Sequence, residues 1–178
     1  MKKRTLFLTI TALLAGSYTV AQVASRSNET TTPVAEPNKP CYYNWAYQDL
    51  PELSVAFESS VQAEDSNATA HATAYGEDCI AADGTSIFGA LETDFYVQLP
   101  VQDLSDFESF GNWIAQVMKI IEGLPADMME GPQDGFVEFR FEKNENDSLF
   151  VRVPIGEYRE KAIGLSGVEL FEIFYRAP

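Results

Sequence analysis

Four stretches of this chain place apolar side chains at alternate positions, and this pattern constrains the fold most. Ala68, Ala70, Ala72 and Ala74 alternate with Thr69, His71, Thr73 and Tyr75. Between Ile87 and Leu99, the residues Leu91, Phe95, Val97 and Leu99 stand opposite Glu92, Asp94, Tyr96 and Gln98. Val137, Phe139 and Phe141 alternate with Phe136, Glu138, Arg140 and Glu142, and a fourth run carries Leu149, Val151, Val153 and Ile155. Successive side chains of a strand point to opposite sides, so each run has a dry side and a polar side. Pro100 closes the second run, the turn 143–147 joins the third to the fourth, and Pro154 removes a ladder donor, which sends the fourth strand to an edge.

Helical periodicity fills the gaps. Leu50, Leu53, Phe57 and Val61 recur at helical spacing after Asp49, a potential cap, with Pro51 tolerated in the first turn. A longer stripe, Phe107, Phe110, Ile114, Val117, Ile121 and Leu124, follows a Ser105-to-Glu108 capping box, and Ser166 with Glu169 opens a short third helix through Leu170, Phe171 and Phe174. The order is helix-strand-strand-helix-strand-strand-helix. The expectation is an α+β fold, a four-stranded antiparallel sheet with two long helices on one face and the other face open to water. The likeness of residues 48–53 (QDLPEL) to 102–107 (QDLSDF) raises a duplicated helix-hairpin unit as an option.

Lys2, Lys3 and Arg4, the apolar run 6–15 and small residues from Gly16 have the layout of a secretory signal peptide. Leu14-Ala15-Gly16-Ser17 is similar to the bacterial lipoprotein signal, with serine where the lipid-bearing cysteine stands, and a thioether cannot form on serine. Cleavage after Ala21 is expected, with an uncleaved anchor as the alternative; the apolar run is shorter than a spanning helix needs. Residues 25–40 are rich in Ser, Thr, Asn, Glu and Pro and lack apolar periodicity. The expected organisation is a signal peptide at 1–21, a flexible linker at 22–40 and a single α+β domain at 41–178, in a secreted, periplasmic or otherwise extracytoplasmic protein of a bacterial envelope.

Charge narrows the partners. The chain has 12 Lys and Arg against 27 Asp and Glu, a net −15. From Pro40 to Met118 there are thirteen Asp and Glu and no Lys or Arg. Phosphate backbones reward clustered cations, so nucleic acid is not an expected partner. The acidic surface reads as solvating, with cation or basic-protein binding as the alternative.

Cys41 and Cys79 are the only cysteines, and an even count in an oxidising compartment predicts a disulfide between them. Glu77, Asp78 and Asp83 around Cys79 do not follow the spacing of a calcium loop; Asp83-Gly84 fits a hairpin turn instead. Trp45, close after Cys41, is expected to plug the core beside the disulfide. No metal and no cofactor are expected: a Gly-rich phosphate loop, paired histidines, a Gly-x-Ser-x-Gly elbow and Cys-x-x-Cys are all missing.

Strand parity places His71, Tyr75, Glu92, Asp94, Tyr96, Glu138, Arg140 and Arg152 together on the open face as candidate binding residues. Aromatics beside charges suit a sugar or a peptide, whereas cross-strand pairs that merely stabilise a wet sheet are the simpler alternative. The expected function is a non-enzymatic binding or interaction module for a protein or small-molecule ligand, with no membrane span once the signal is removed. The alternative is a hydrolase using His71 with Glu92 or Asp94.

Overall fold

The structure, a computed structural model, describes residues 41–175. The expected signal peptide and linker lie outside the described residues. The elements run β1 (Cys41–Asp49), α1 (Pro51–Gln62), β2 (Thr69–Ala81), β3 (Ser86–Pro100), α2 (Phe107–Glu122), β4 (Gln133–Asn144), β5 (Asp147–Pro154), α3 (Ile155–Lys161) and α4 (Gly167–Phe174). One five-stranded sheet takes the order β1-β2-β3-β4-β5, with β3 and β4 parallel and every other neighbour antiparallel.

This overturns the four-stranded antiparallel sheet with two long helices. The mixed pairing has a geometric cause: α2 and its flanking loops carry the chain back along the full length of β3 before β4 begins, and such a crossover returns a strand parallel to its predecessor. The strand missed, β1, hid because it has no dry side. Only Cys41 and Ala46 in it are even partly buried, so no alternation of buried and exposed residues marks it. A further helix, α3, occupies residues assigned to the end of the last strand and to a loop. The helix-hairpin duplication also fails. Strand β4 runs opposite to β2 while α1 and α2 share one face, and no rotation superposes the two units with that strand order.

The core lies between the helices and one sheet face. Ala70, Ala72 and Ala74 of β2, Phe95, Val97 and Leu99 of β3, Val137, Phe139 and Phe141 of β4, and Val151 and Val153 of β5 are buried there. Small alanines let α1 approach β2 closely, and Phe57 meets Phe95 edge-on at 5.0 Å. Phe110 of α2 stacks on Phe141 at 4.0 Å.

Helix caps differ from expectation. Asp49 belongs to β1 and caps nothing; Leu50 is the N-cap of α1. Asp106, rather than Ser105, caps α2 by accepting the Ser109 N–H at 3.1 Å. The start of α4 is satisfied from α2: Asn112 Oδ1 accepts the Gly167 N–H at 3.0 Å and Glu108 Oε2 accepts the Val168 N–H at 3.1 Å. Among the described residues no helix is long and apolar enough to cross a membrane.

The Cys41–Cys79 disulfide joins β1 to β2 diagonally on the helix-free face, closing a sequence separation of 38. The β2–β3 turn contains Asp83-Gly84, with Gly84 at φ 82° and Asp83 Oδ1 accepting the Thr85 N–H at 3.1 Å.

Candidate functional site

Pairing registers arrange the helix-free face as rows running across the sheet. The first row holds Trp45 and Glu77, and the second Tyr47, Tyr75 and Glu92. The third holds Asp49, Thr73 and Asp94. The fourth crosses four strands through His71, Tyr96, Glu138 and Arg152, and the fifth runs through Thr69, Gln98, Arg140 and Phe150. All eight sequence-predicted residues therefore share this face, divided between an aromatic, acidic end at β1–β2 and a mixed-charge end at β4–β5.

Each end has its own internal bonding. Trp45 stacks on Tyr75 with centroids 5.4 Å apart, and Tyr47 leans on Tyr75 at 5.0 Å. His71 stacks flat on Tyr96 at 4.8 Å, and Tyr96 meets Phe136 edge-on at 5.8 Å. Arg152 lies over the Phe136 ring at 4.0 Å while its Nη2 donates to Glu138 Oε2 at 2.7 Å. Arg140 reaches Glu142 at 3.4 Å and sits 5.6 Å from the Phe150 ring centroid. A shallow depression of about 220 Å³ opens between Thr69, His71, Tyr96, Gln98, Arg140 and Phe150.

Asp94 is the one buried residue among the eight candidates, only 1% exposed. The β3–β4 register slips beside it, between Thr93 and Phe95, so the ladder leaves a gap. Its Oδ1 fills that gap by accepting the Phe136 N–H at 3.2 Å. Gly135 makes the approach possible, since a Cβ there would lie 2.6 Å from the same oxygen. Burial pushes the carboxyl up to about 6; the Phe136 N–H works against that, Glu92 adds to it, and Arg152 offsets part of it. Burial likewise raises the Tyr96 phenol, with the Asp94 charge second. Arg152 is raised above its ordinary range chiefly by its hydrogen bond to Glu138. Thr73, paired with Asp94 across β2–β3, is buried as well.

Among the described residues no hydrogen bond or ion pair joins His71 to Glu92 or Asp94; the imidazole stacks on Tyr96 and the Asp94 carboxylate accepts a backbone N–H. No group of three or more His, Cys, Asp or Glu among the described residues is placed to hold a metal ion.

Sequence reasoning missed part of this face. Tyr43, Trp45 and Tyr47 are 61%, 58% and 65% exposed, so Trp45 is a surface residue rather than a core plug. Their signal was available: the three aromatics fall at alternate positions, which is a strand face, though an outward one. Phe136 and Phe150, the platforms for the two arginines, also lie here. Comparison with known proteins finds no matching family model, curated protein or solved structure.

Proposed function

We propose that the chain is an extracytoplasmic, non-enzymatic binding module whose ligand docks on the helix-free face of the sheet. The observation that carries this reading is the row of aromatics on β1 and β2, Tyr43, Trp45, Tyr47 and Tyr75. The first three are more than half exposed, and no element among the described residues covers them. Contiguous exposed apolar surface with a polar rim marks interaction sites in soluble domains. The disulfide supports an oxidising compartment.

A screen of soluble glycans and peptides against the full chain tests it, with hydrogen exchange mapping where each binder acts. The reading expects protection confined to the helix-free face and affinity lost in the double variant Trp45→Ala/Tyr75→Ala. Turnover of any screened substrate that disappears in His71→Ala, or binders that protect only the helix side, would overturn it.

A further inference from the structure

We propose that β1 is the docking edge for a basic, extended segment of another protein, which joins the sheet as an added strand and lays Lys or Arg side chains over Trp45, Tyr47 and Tyr75. This rests on the reading of the helix-free face as the binding surface and names its partner. β1 is an outermost strand. Leu50, which continues its register, donates its N–H to Ala72 O at 3.2 Å. Residues two apart in an antiparallel ladder turn their backbone groups the same way, so the even-numbered residues 42–48 face β2. Tyr43, Trp45 and Tyr47 turn their N–H and C=O groups outward, where they have no partner among the described residues. The same three residues project their side chains onto the helix-free face, so one incoming strand would meet unpaired backbone and aromatic surface together.

Sheet edges are ordinarily blunted by lysine, proline, bulges or inward charges. β1 has none of these. It contains no Lys or Pro, its one charged residue is Asp49 at the far end, and its register with β2 runs unbroken over nine residues.

Charge selects the partner. Trp45 pairs with Glu77 and Tyr75 with Glu92 across the neighbouring strands, and no Lys or Arg occurs between Pro40 and Met118. The Tyr75 phenol is raised by partial desolvation first and then by Tyr47, Glu92 and Glu77, so the local field is negative. A cation laid on these rings finds both the negative ring faces and the carboxylates beside them. An added strand directs alternate side chains to this face, so the matching segment carries Lys or Arg at every second position. A second copy pairing through its own β1 would bring only more aromatics and carboxylates to the same place.

Three nine-residue peptides test this on the full chain by calorimetry and residue-resolved amide exchange. They are alternating Lys-Thr, alternating Glu-Thr, and the Lys-Thr peptide N-methylated on the amides that would pair with β1. The Lys-Thr peptide is expected to bind at least about tenfold more tightly than either control and to weaken as salt rises. It should slow exchange at the amides of Tyr43, Trp45 and Tyr47, and Glu77→Gln should weaken it roughly threefold through loss of one local charge.

Equal binding of the Glu-Thr peptide, or unslowed β1 amides, overturns the proposal. So does exchange at those amides that is already slow in the free chain, with sedimentation then separating a second copy from a segment of the same chain. A glycan that protects the His71 and Tyr96 row while Lys-Thr leaves β1 untouched sinks this proposal but leaves the wider binding reading standing. If no ligand protects the helix-free face at all, both fall.

Discussion

On one side of β3, Phe95, Val97 and Leu99 lie sealed beneath the helices; one residue out of phase, Tyr96 and Gln98 reach the other side, which no element among the described residues covers. The contrast repeats on β4, where Val137, Phe139 and Phe141 are wholly buried while Phe136, Glu138 and Arg140 remain partly open. The same strands thus present one sealed face and one open face. Burial stabilises the fold in proportion to apolar area removed from water, whereas exposed pairs are screened and contribute little.

The sharpest test of that division replaces one aromatic residue from each face. Phe139→Ala leaves a cavity in a fully buried site and should cost about 3–5 kcal/mol. Tyr47→Ala, at an exposed position, should cost within about 1 kcal/mol. Denaturant unfolding measures both, and comparable losses would mean that the helix-free face is structural after all.

The disulfide is expected to be that face's largest contribution to stability. Replacing Cys41 and Cys79 together with serine releases a loop of separation 38 and should lower stability by roughly 3–4 kcal/mol on the entropy model. A thermal scan of the double variant that matches the wild type would remove the staple from this account.

Asp94 predicts a pH dependence with a definite sign. Its folded-state value of about 6 lies above the ordinary value of 3.8, so the folded chain holds this proton more tightly than the unfolded chain does. Stability from this group is therefore present below about pH 4 and lost as pH rises through about 6, a change on the order of 2–3 kcal/mol. Asp94→Asn keeps an acceptor for the Phe136 N–H but does not titrate. Its stability relative to wild type should rise between pH 4 and pH 7; a flat difference across that range would show that Asp94 is solvated.

Smaller effects belong to the exposed charges. Arg152→Ala breaks the 2.7 Å contact to Glu138 and uncovers Phe136, and should cost about 0.5–1 kcal/mol at low salt and less at high salt. A loss several times larger that ignores salt would make the pair part of the core. The smallest effect concerns the carboxylates of residues 40–118, whose repulsion should be relieved diffusely. Calcium at low millimolar concentration should raise the melting temperature no more than magnesium does. Saturable stabilisation by calcium alone, abolished in Asp83→Asn, would reveal a specific site.

Much of this molecule was legible because water enforces a pattern. Wherever a strand or helix buries one side, alternation or helical spacing must appear in the sequence, and the strands from 69, 86, 133 and 147 and helices α1, α2 and α4 could be read from it. The common face of the eight candidate residues followed from parity alone. Cysteine parity gave the disulfide.

What the sequence left undetermined were the features that burial does not mark. Strand β1 has no dry side: the alternating aromatics Tyr43, Trp45 and Tyr47 mark a strand face without saying that it points to water, so its place at the sheet edge, and the exposure of Trp45, depend on hydrogen bonds to β2 that no local pattern encodes. The parallel pairing of β3 with β4 depends on where α2 delivers the chain, since side-chain alternation is the same in parallel and antiparallel strands. Asp94 has the same parity as Glu92 and Tyr96, which stay partly open. Only the slipped ladder beside it, with Gly135 and the Phe136 amide drawn against its carboxylate, turned a surface position into a buried one. The sequence by itself determined which side chains share a face, because that follows from backbone periodicity. Tertiary structure decided which strands meet and which of those side chains water can reach, because both depend on contacts between residues far apart in the chain.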